Sequence, residues 1–197
     1  MTSCTPKPIA KELWDVINGE ITGIQLLWEA VDCLYFKSPD KGFATLETDT
    51  PLLFGLTQTA MMESLLMRIA RLMDPAISGK GQGSRPNLSL SQLVSLCPAL
   101  APQERSVRKL WDDSSLKRIR DKYLSHNDLA EIQKAGHKLS IPLQTEDIEA
   151  LRALASDLRA LRRSAPHQLN NGAYLDESLD LQIQREIGTL GNLLQGG

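Results

Sequence analysis

The chain has 197 residues, 22 Lys plus Arg against 24 Asp plus Glu, a formal net charge of −2 and only 3 His. A balance this close to neutral excludes a wholly basic nucleic-acid module, and the length fits one core with at most a small appendage. Hydrophobic residues make up 42% of the chain but aromatics only 5%, so the core is expected to be aliphatic and helical.

Cys4, Cys33 and Cys97 are far apart and contain no C-x-x-C pair, so neither a disulfide framework nor a zinc ribbon is indicated. Residues 1 to 8 lack the apolar segment of a secretory signal, and no apolar run approaches the roughly 18 residues of a membrane span. The expectation is a soluble cytoplasmic protein with no membrane partner.

In chain order, Ile9, Leu13, Val16, Ile17, Ile21, Ile24, Leu27, Trp28, Val31 and Leu34 recur at steps of three and four, which predicts an amphipathic helix over 8–36. Gly19 and Gly23 inside it point to a bend or a close helix crossing. Residues 38–42 end it. Thr50 before Pro51 reads as a capped helix start. The helix that follows, to about Asp74, is apolar around much of its circumference through Leu52, Leu53, Leu56, Met61, Leu65, Leu66 and Ile69, as expected of a central, buried helix. Residues 75–86 hold three glycines in a surface loop, with no preceding strand and no phosphate-loop signature.

Ser89 and Gln92 form a capping box, with Leu88 and Leu93 placed as its hydrophobic staple. That helix ends at Cys97-Pro98. Pro102 starts a stretch to about Asn127, interrupted near residues 113–115. Thr145, followed by Glu146, Asp147 and Glu149, launches a helix that Ser164, Ala165 and Pro166 stop, and an amphipathic helix over 175–194 closes the chain. The fold class is therefore all-α, a bundle of five to six helices over 1–165, with 166–197 a linker and an additional helix suited to packing on a partner chain.

Glu-x-x-His and H-E-x-x-H are absent, so no protein-built metal site and no cofactor are expected. What remains is "LKRIRDKYLSHND", residues 116–128, in which five residues separate Arg120 from His126. The spacing alone is weak, since Arg162 and His167 satisfy a similar one at a charged helix end. On an α-helix, however, Leu116, Ile119 and Tyr123 form an apolar stripe, with Arg120 and His126 about 60° to either side of it. A plainer reading stays open: His126 favouring a helix dipole and Arg120 pairing with a nearby acid.

The segment "IRDKYLSHND" resembles the motif of the HEPN superfamily (higher eukaryotes and prokaryotes nucleotide-binding), whose ribonuclease members carry Arg, a polar residue, then His four to six positions after the Arg. "MMESLLMRIARLMDP" at 61–75, "LSLSQLV" at 88–94 and the helix after Thr145 resemble its AbiU-type abortive-infection branch. The resemblance implies a helical homodimer in which two Arg/His pairs share a cleft and cut RNA without metal. Arg120, Asp121 and His126 take the catalytic positions. Lys117, Arg118, Lys122 and Asn127 are candidates for RNA phosphates, or else a solvated helix face. Arg68, Arg71, Asp74 and Tyr123 are candidates to line the cleft, although Arg71 and Asp74 also have the spacing of a structural ion pair. The implied role is a toxin or anti-phage effector, with an antitoxin as possible partner. The other reading is a non-catalytic binding or scaffolding subunit beside a nucleotidyltransferase.

Charge distribution sharpens this. Residues 105–138 hold nine Lys plus Arg and five acids, a local +4, in a chain otherwise at −6. Near-neutrality thus hides a basic segment centred on Arg120, modest enough that RNA contact calls for two copies.

Overall fold

The computed structural model describes residues 8–36, 48–79, 84–121, 143–168, 185, 186 and 189. Helix α1, Pro8–Val31, buries Ala10, Trp14, Ile17, Ile21, Ile24, Trp28 and Val31, alternate steps of four and three that make one seam. Ile9 and Val16, which periodicity assigns to the apolar face, are instead 64% and 54% exposed. The helix passes into a π-helical turn at Asp32–Phe36. Its expected terminator at 38–42 lies outside the described residues.

Helix α2, Pro51–Leu72, starts at the proline as expected, but the Thr50 side chain supplies no cap hydrogen bond, and its carbonyl accepts from Phe54 N at 2.9 Å. The expectation of a helix buried along its length is corrected. Met62, Leu65, Leu66, Ile69, Ala70 and Leu72 enter the core, whereas Leu52, Leu53, Leu56 and Met67 face out. Apolar character on every side does not say which side meets another helix, and here only the C-terminal half of α2 is enclosed.

The glycine-rich segment holds a two-residue antiparallel ladder, β1 Ile77–Ser78 with β2 Arg85–Pro86. Asn87 Nδ2 ties its base to Pro75 O at 2.7 Å and Ser78 Oγ at 2.6 Å. Helix α3, Leu90–Leu96, is capped as expected: Ser89 Oγ accepts from Gln92 N at 3.2 Å, with Leu93 buried and Leu88 packed on the core. After a 3-10 turn at Pro98–Leu100 come α4, Ala101–Asp113, a break at Ser114 and Ser115, and α5, Leu116–Ile119. Helix α6, Thr145–Gln168, continues past Ala165 and Pro166 instead of stopping there. A proline so close to the end forfeits few backbone bonds. The expected 175–194 helix lies mostly outside the described residues, of which 185, 186 and 189 are helical.

The result is an all-α bundle. Helix α1 packs against both α2 and α6, and α6 also lies on α4. Both pairings of α1 are antiparallel: Tyr35 meets Phe54 ring to ring at a tilt while Glu20 meets Arg68, and Asp32 meets Arg152 while Thr22 meets Arg162. The core is less purely aliphatic than composition suggests, because Trp14, Trp28 and Trp111 are all in it, at 2%, 4% and 2% exposure. Few aromatics, placed centrally, still fill much of a small core. Arg108 clamps three elements, reaching Glu104 Oε1 at 2.7 Å, Ser91 Oγ at 2.7 Å and Met73 O at 3.0 Å, so it also satisfies a carbonyl at the end of α2.

The two helix-interior glycines have different reasons. A Cβ on Gly23 would lie 2.9 Å from Arg68 Nη1, so the close approach is made by a guanidinium crossing from α2. A Cβ on Gly19 would meet nothing within 4 Å. Gly19→Ala should therefore stabilise the protein by roughly 0.5–1 kcal/mol in urea unfolding, through helix propensity alone. A destabilised variant would show that Gly19 is needed for something besides helix geometry.

Tyr35 supplies a pH dependence. Burial pushes its phenol above the ordinary tyrosine value by disfavouring the charged form. A raised folded pKa means the unfolded chain loses its proton first as pH climbs. Stability is thus intact below about pH 10 and falls above it, by at most about 1.4 kcal/mol per pH unit. Tyr35→Phe should flatten that share of the alkaline decline in a melting-temperature profile.

Candidate functional site

The basic motif begins on α5, which is only four residues long and opens into a π-helical turn at 120–121. So short a helix cannot hold itself. Two buried side chains, Leu116 and Ile119, press it onto the core. The other tether is polar: the Ser115 hydroxyl donates to Asp147 Oδ1, while Asp147 Oδ2 accepts the Gln144 backbone N–H at 2.8 Å. Asp147 is 5% exposed and sits in the first turn of α6. One carboxylate therefore caps α6 and fixes the start of the motif helix. Gln144, not Thr145, is the cap position, because the helix begins at Thr145 itself.

Arg120 lies at the edge of the Leu116/Ile119 stripe, where helical projection predicts it, with its side chain 24% exposed. Its Nη1 pairs with Asp121 Oδ1 at 3.1 Å. Nε is buried and has no hydrogen-bond partner among the described residues. Asp121 thus holds the guanidinium by one terminal nitrogen, and because Nε is enclosed by protein an oxyanion can meet only the part of the group that remains exposed. The plain reading, Arg120 pairing with a nearby acid, is what the structure shows, with Asp121 as that acid.

Lys117 and Arg118 are exposed on the same segment, Lys117 at 3.5 Å from Asp112. Lys122, Tyr123, His126 and Asn127 lie outside the described residues. Arg71 does not pair with Asp74 as the spacing suggested; Arg68 stands one turn before Arg71 on α2. Both converge on Glu20 Oε2 of α1, at 3.1 and 3.4 Å, which corrects the Arg71/Asp74 ion pair. The backbone N–H of Asp74 donates to Arg71 O at 3.3 Å. Among the described residues no hydrogen bond or ion pair joins Arg68, Arg71 or Asp74 to residues 117–121.

A rival cleft lies between α1 and α6, lined by Trp28, Glu29, Asp32, Arg152, Ser156 and Arg159. Its charges neutralise one another. Arg152 reaches Asp32 at 3.1 Å and Glu149 at 2.7 Å, and Arg159 reaches Glu29 at 2.8 Å. The hydrogen bond that it donates to Asp32, then that to Glu149, holds the Arg152 guanidinium above its ordinary pKa. Cations already paired with neighbouring acids, the buried Asp32 among them, are poor phosphate receptors. Arg162, expected to serve a charged helix end, is 2% exposed and donates to Thr22 Oγ1 at 3.2 Å. The partners on this side, Thr22, Glu29 and Asp32, lie with the buried Asn18 and Gln25 in a polar stripe beside the apolar seam of α1. Its spacing of four and three is visible in the sequence, beside the stronger signal of the apolar period.

Comparison with known families decides the affiliation. The family model described as AbiU2, a HEPN family, matches residues 9–162, from the first turn of α1 to near the end of α6. The chain belongs to the HEPN AbiU2 family. No curated protein and no solved structure matches it. In this HEPN chain the matched stretch includes the Arg120 segment and its Asp147 tether. Among the described residues no helix is long and apolar enough to cross a membrane, and no three His, Cys, Asp or Glu side chains gather to hold a metal ion.

Proposed function

We propose that this HEPN protein is a metal-independent endoribonuclease, working as a homodimer and serving as a toxin or anti-phage abortive-infection effector. The observation that carries the reading is Arg120: a partly desolvated guanidinium, 24% exposed, oriented by Asp121 through one terminal nitrogen. The family affiliation supports it. RNA cleavage needs a base to take the 2′-hydroxyl proton and an acid to protonate the leaving 5′-oxygen. His126 is the side chain of the right chemistry in the motif, and a dimer brings two of them, one for each role. Arg120 stabilises the charge that builds on the phosphate oxygens, Asp121 orients Arg120, and Lys117, Arg118, Lys122 and Asn127 hold neighbouring phosphates.

The test is cleavage of a mixed RNA by the purified chain in excess EDTA, with the product ends identified. The expected products carry 2′,3′-cyclic phosphate and 5′-hydroxyl ends, and cutting weakens as salt rises. Cleavage that needs Mg²⁺, or 5′-phosphate products, contradicts the mechanism. Absence of cutting by any preparation, with growth of the host unaffected by expression, would favour the non-catalytic subunit.

A further inference from the structure

We propose that the exposed face of α4 is the track along which RNA reaches the Arg120 site, with Arg105 and Lys109 gripping the phosphates of a strand that runs on past the cleaved bond. The proposal rests on the ribonuclease reading above and names the substrate it calls for: a strand several nucleotides long, held by its backbone and not by its bases.

Elsewhere in the fold the arginines are paired. Arg68 and Arg71 share Glu20, Arg108 holds Glu104, and Arg152 and Arg159 meet Asp32 and Glu29. Arg105, Lys109 and Arg118 differ: all three are exposed, and among the described residues none of their side chains makes a hydrogen bond or an ion pair. Lys11 and Arg85 share that condition but stand singly on other elements. Along α4 and α5 such cations are neighbours.

Arg105 and Lys109 are the clearest case. Four residues apart, they share one face of α4 at about 6 Å along its axis, and like charges at that spacing destabilise a helix. A face serving only solubility would interleave the signs. Lys109 has Asp112 and Asp113 three and four positions further on, yet pairs with neither. Asp112 is taken by Lys117 at 3.5 Å, and Asp113 lines a groove with Glu146 and Asp147 of α6. What suits this face is a polyanion whose charges follow a line.

The row leads to the site. Asp112 stands three residues past Lys109 on the same face, Lys117 reaches back across the break at Ser114 and Ser115 to meet it, and Arg120 follows Lys117 by three residues. Helix α4 rises about 12 Å from Arg105 to its end at Asp113. A stacked strand carries one phosphate per about 3.4 Å of rise, so this length covers about three to four nucleotides beyond those at Arg120. The exposed side of α4 carries no aromatic ring, since Trp111 is buried in the core. With nothing for a base to stack on, the face holds a backbone without choosing a sequence.

The experiment is binding of 2′-O-methyl RNA by the full chain, which offers the phosphates without the attacking hydroxyl, together with cleavage of the unmodified strand. On a strand of about 16 nucleotides, Arg105→Ala/Lys109→Ala should weaken binding at least about fivefold and flatten the slope of log affinity against log salt by about 1.4, at about 0.7 for each lost phosphate contact. In cleavage the loss should fall in KM. It should shrink to about twofold or less on a strand of about four nucleotides, and be equal for U-rich and A-rich long strands. Arg105→Lys/Lys109→Arg should recover the binding, because the contact needs charge alone. A double alanine variant that binds the long strand as wild type does overturns the track and leaves the ribonuclease reading standing, and so does an equal loss on the short strand. A wild type that binds through α4 but cuts no RNA overturns that reading and keeps the track, whereas one that binds no RNA overturns both.

Discussion

Arg120→Ala should lower RNA cleavage by about 10²–10³-fold, the usual loss when one donor to a developing oxyanion is removed. Arg120→Lys should recover little of it. A lysine supplies charge without a planar fork, so it cannot be oriented by Asp121 through one nitrogen while presenting another to the phosphate. The loss belongs in kcat and not in substrate affinity, because the phosphate gains charge chiefly in the transition state. Lys117→Ala and Arg118→Ala should behave oppositely, raising KM and reducing the salt dependence, since both are exposed beside the motif. The thermal midpoint of Arg120→Ala should stay close to wild type, because a partly exposed ion pair contributes about 0–1 kcal/mol. His126→Ala should also abolish most cleavage, by about 10²–10⁴-fold. Arg120→Ala cutting as well as wild type would sink the assignment.

Much of the fold was legible because helices announce themselves by period. The seam of α1 and the cap at Ser89 can be read directly from spacing, as can the break near Ser114. The failures share a cause. Leu53 and Leu56 look like core residues because hydrophobicity records that a side chain avoids water, not which neighbour covers it. Arg71 has a local partner in Asp74, yet it pairs with Glu20, 51 residues away, because an adjacent helix presents a carboxylate in better position than the same helix does. At the site, Arg120 and its place beside Leu116 and Ile119 follow from the sequence. The way Asp121 takes one nitrogen and leaves the others depends on rotamers, which spacing does not specify.

The same limit hides the residue on which the site most depends. Asp147→Ala should destabilise the protein by about 2–3 kcal/mol, combining a lost helix cap with a lost hydrogen bond to the Ser115 hydroxyl. Ser115 and Asp147 are 32 residues apart in the chain, so nothing local marks them as partners. Ser115→Ala alone should cost about 1 kcal/mol, and the double variant should cost less than the sum, with a coupling of about 0.5–1.5 kcal/mol in urea unfolding. Additive losses would mean that the two side chains do not act on each other. Because α5 has only four residues, the tether also sets where Arg120 stands. Asp147→Ala should therefore reduce cleavage even under conditions where the variant is fully folded, with the loss in kcat. Asp147→Asn keeps an oxygen that can accept from either Ser115 or Gln144, so it should recover part of both stability and rate. If stability and rate instead respond independently across this series, the anchoring of the motif helix must come from Leu116 and Ile119 alone.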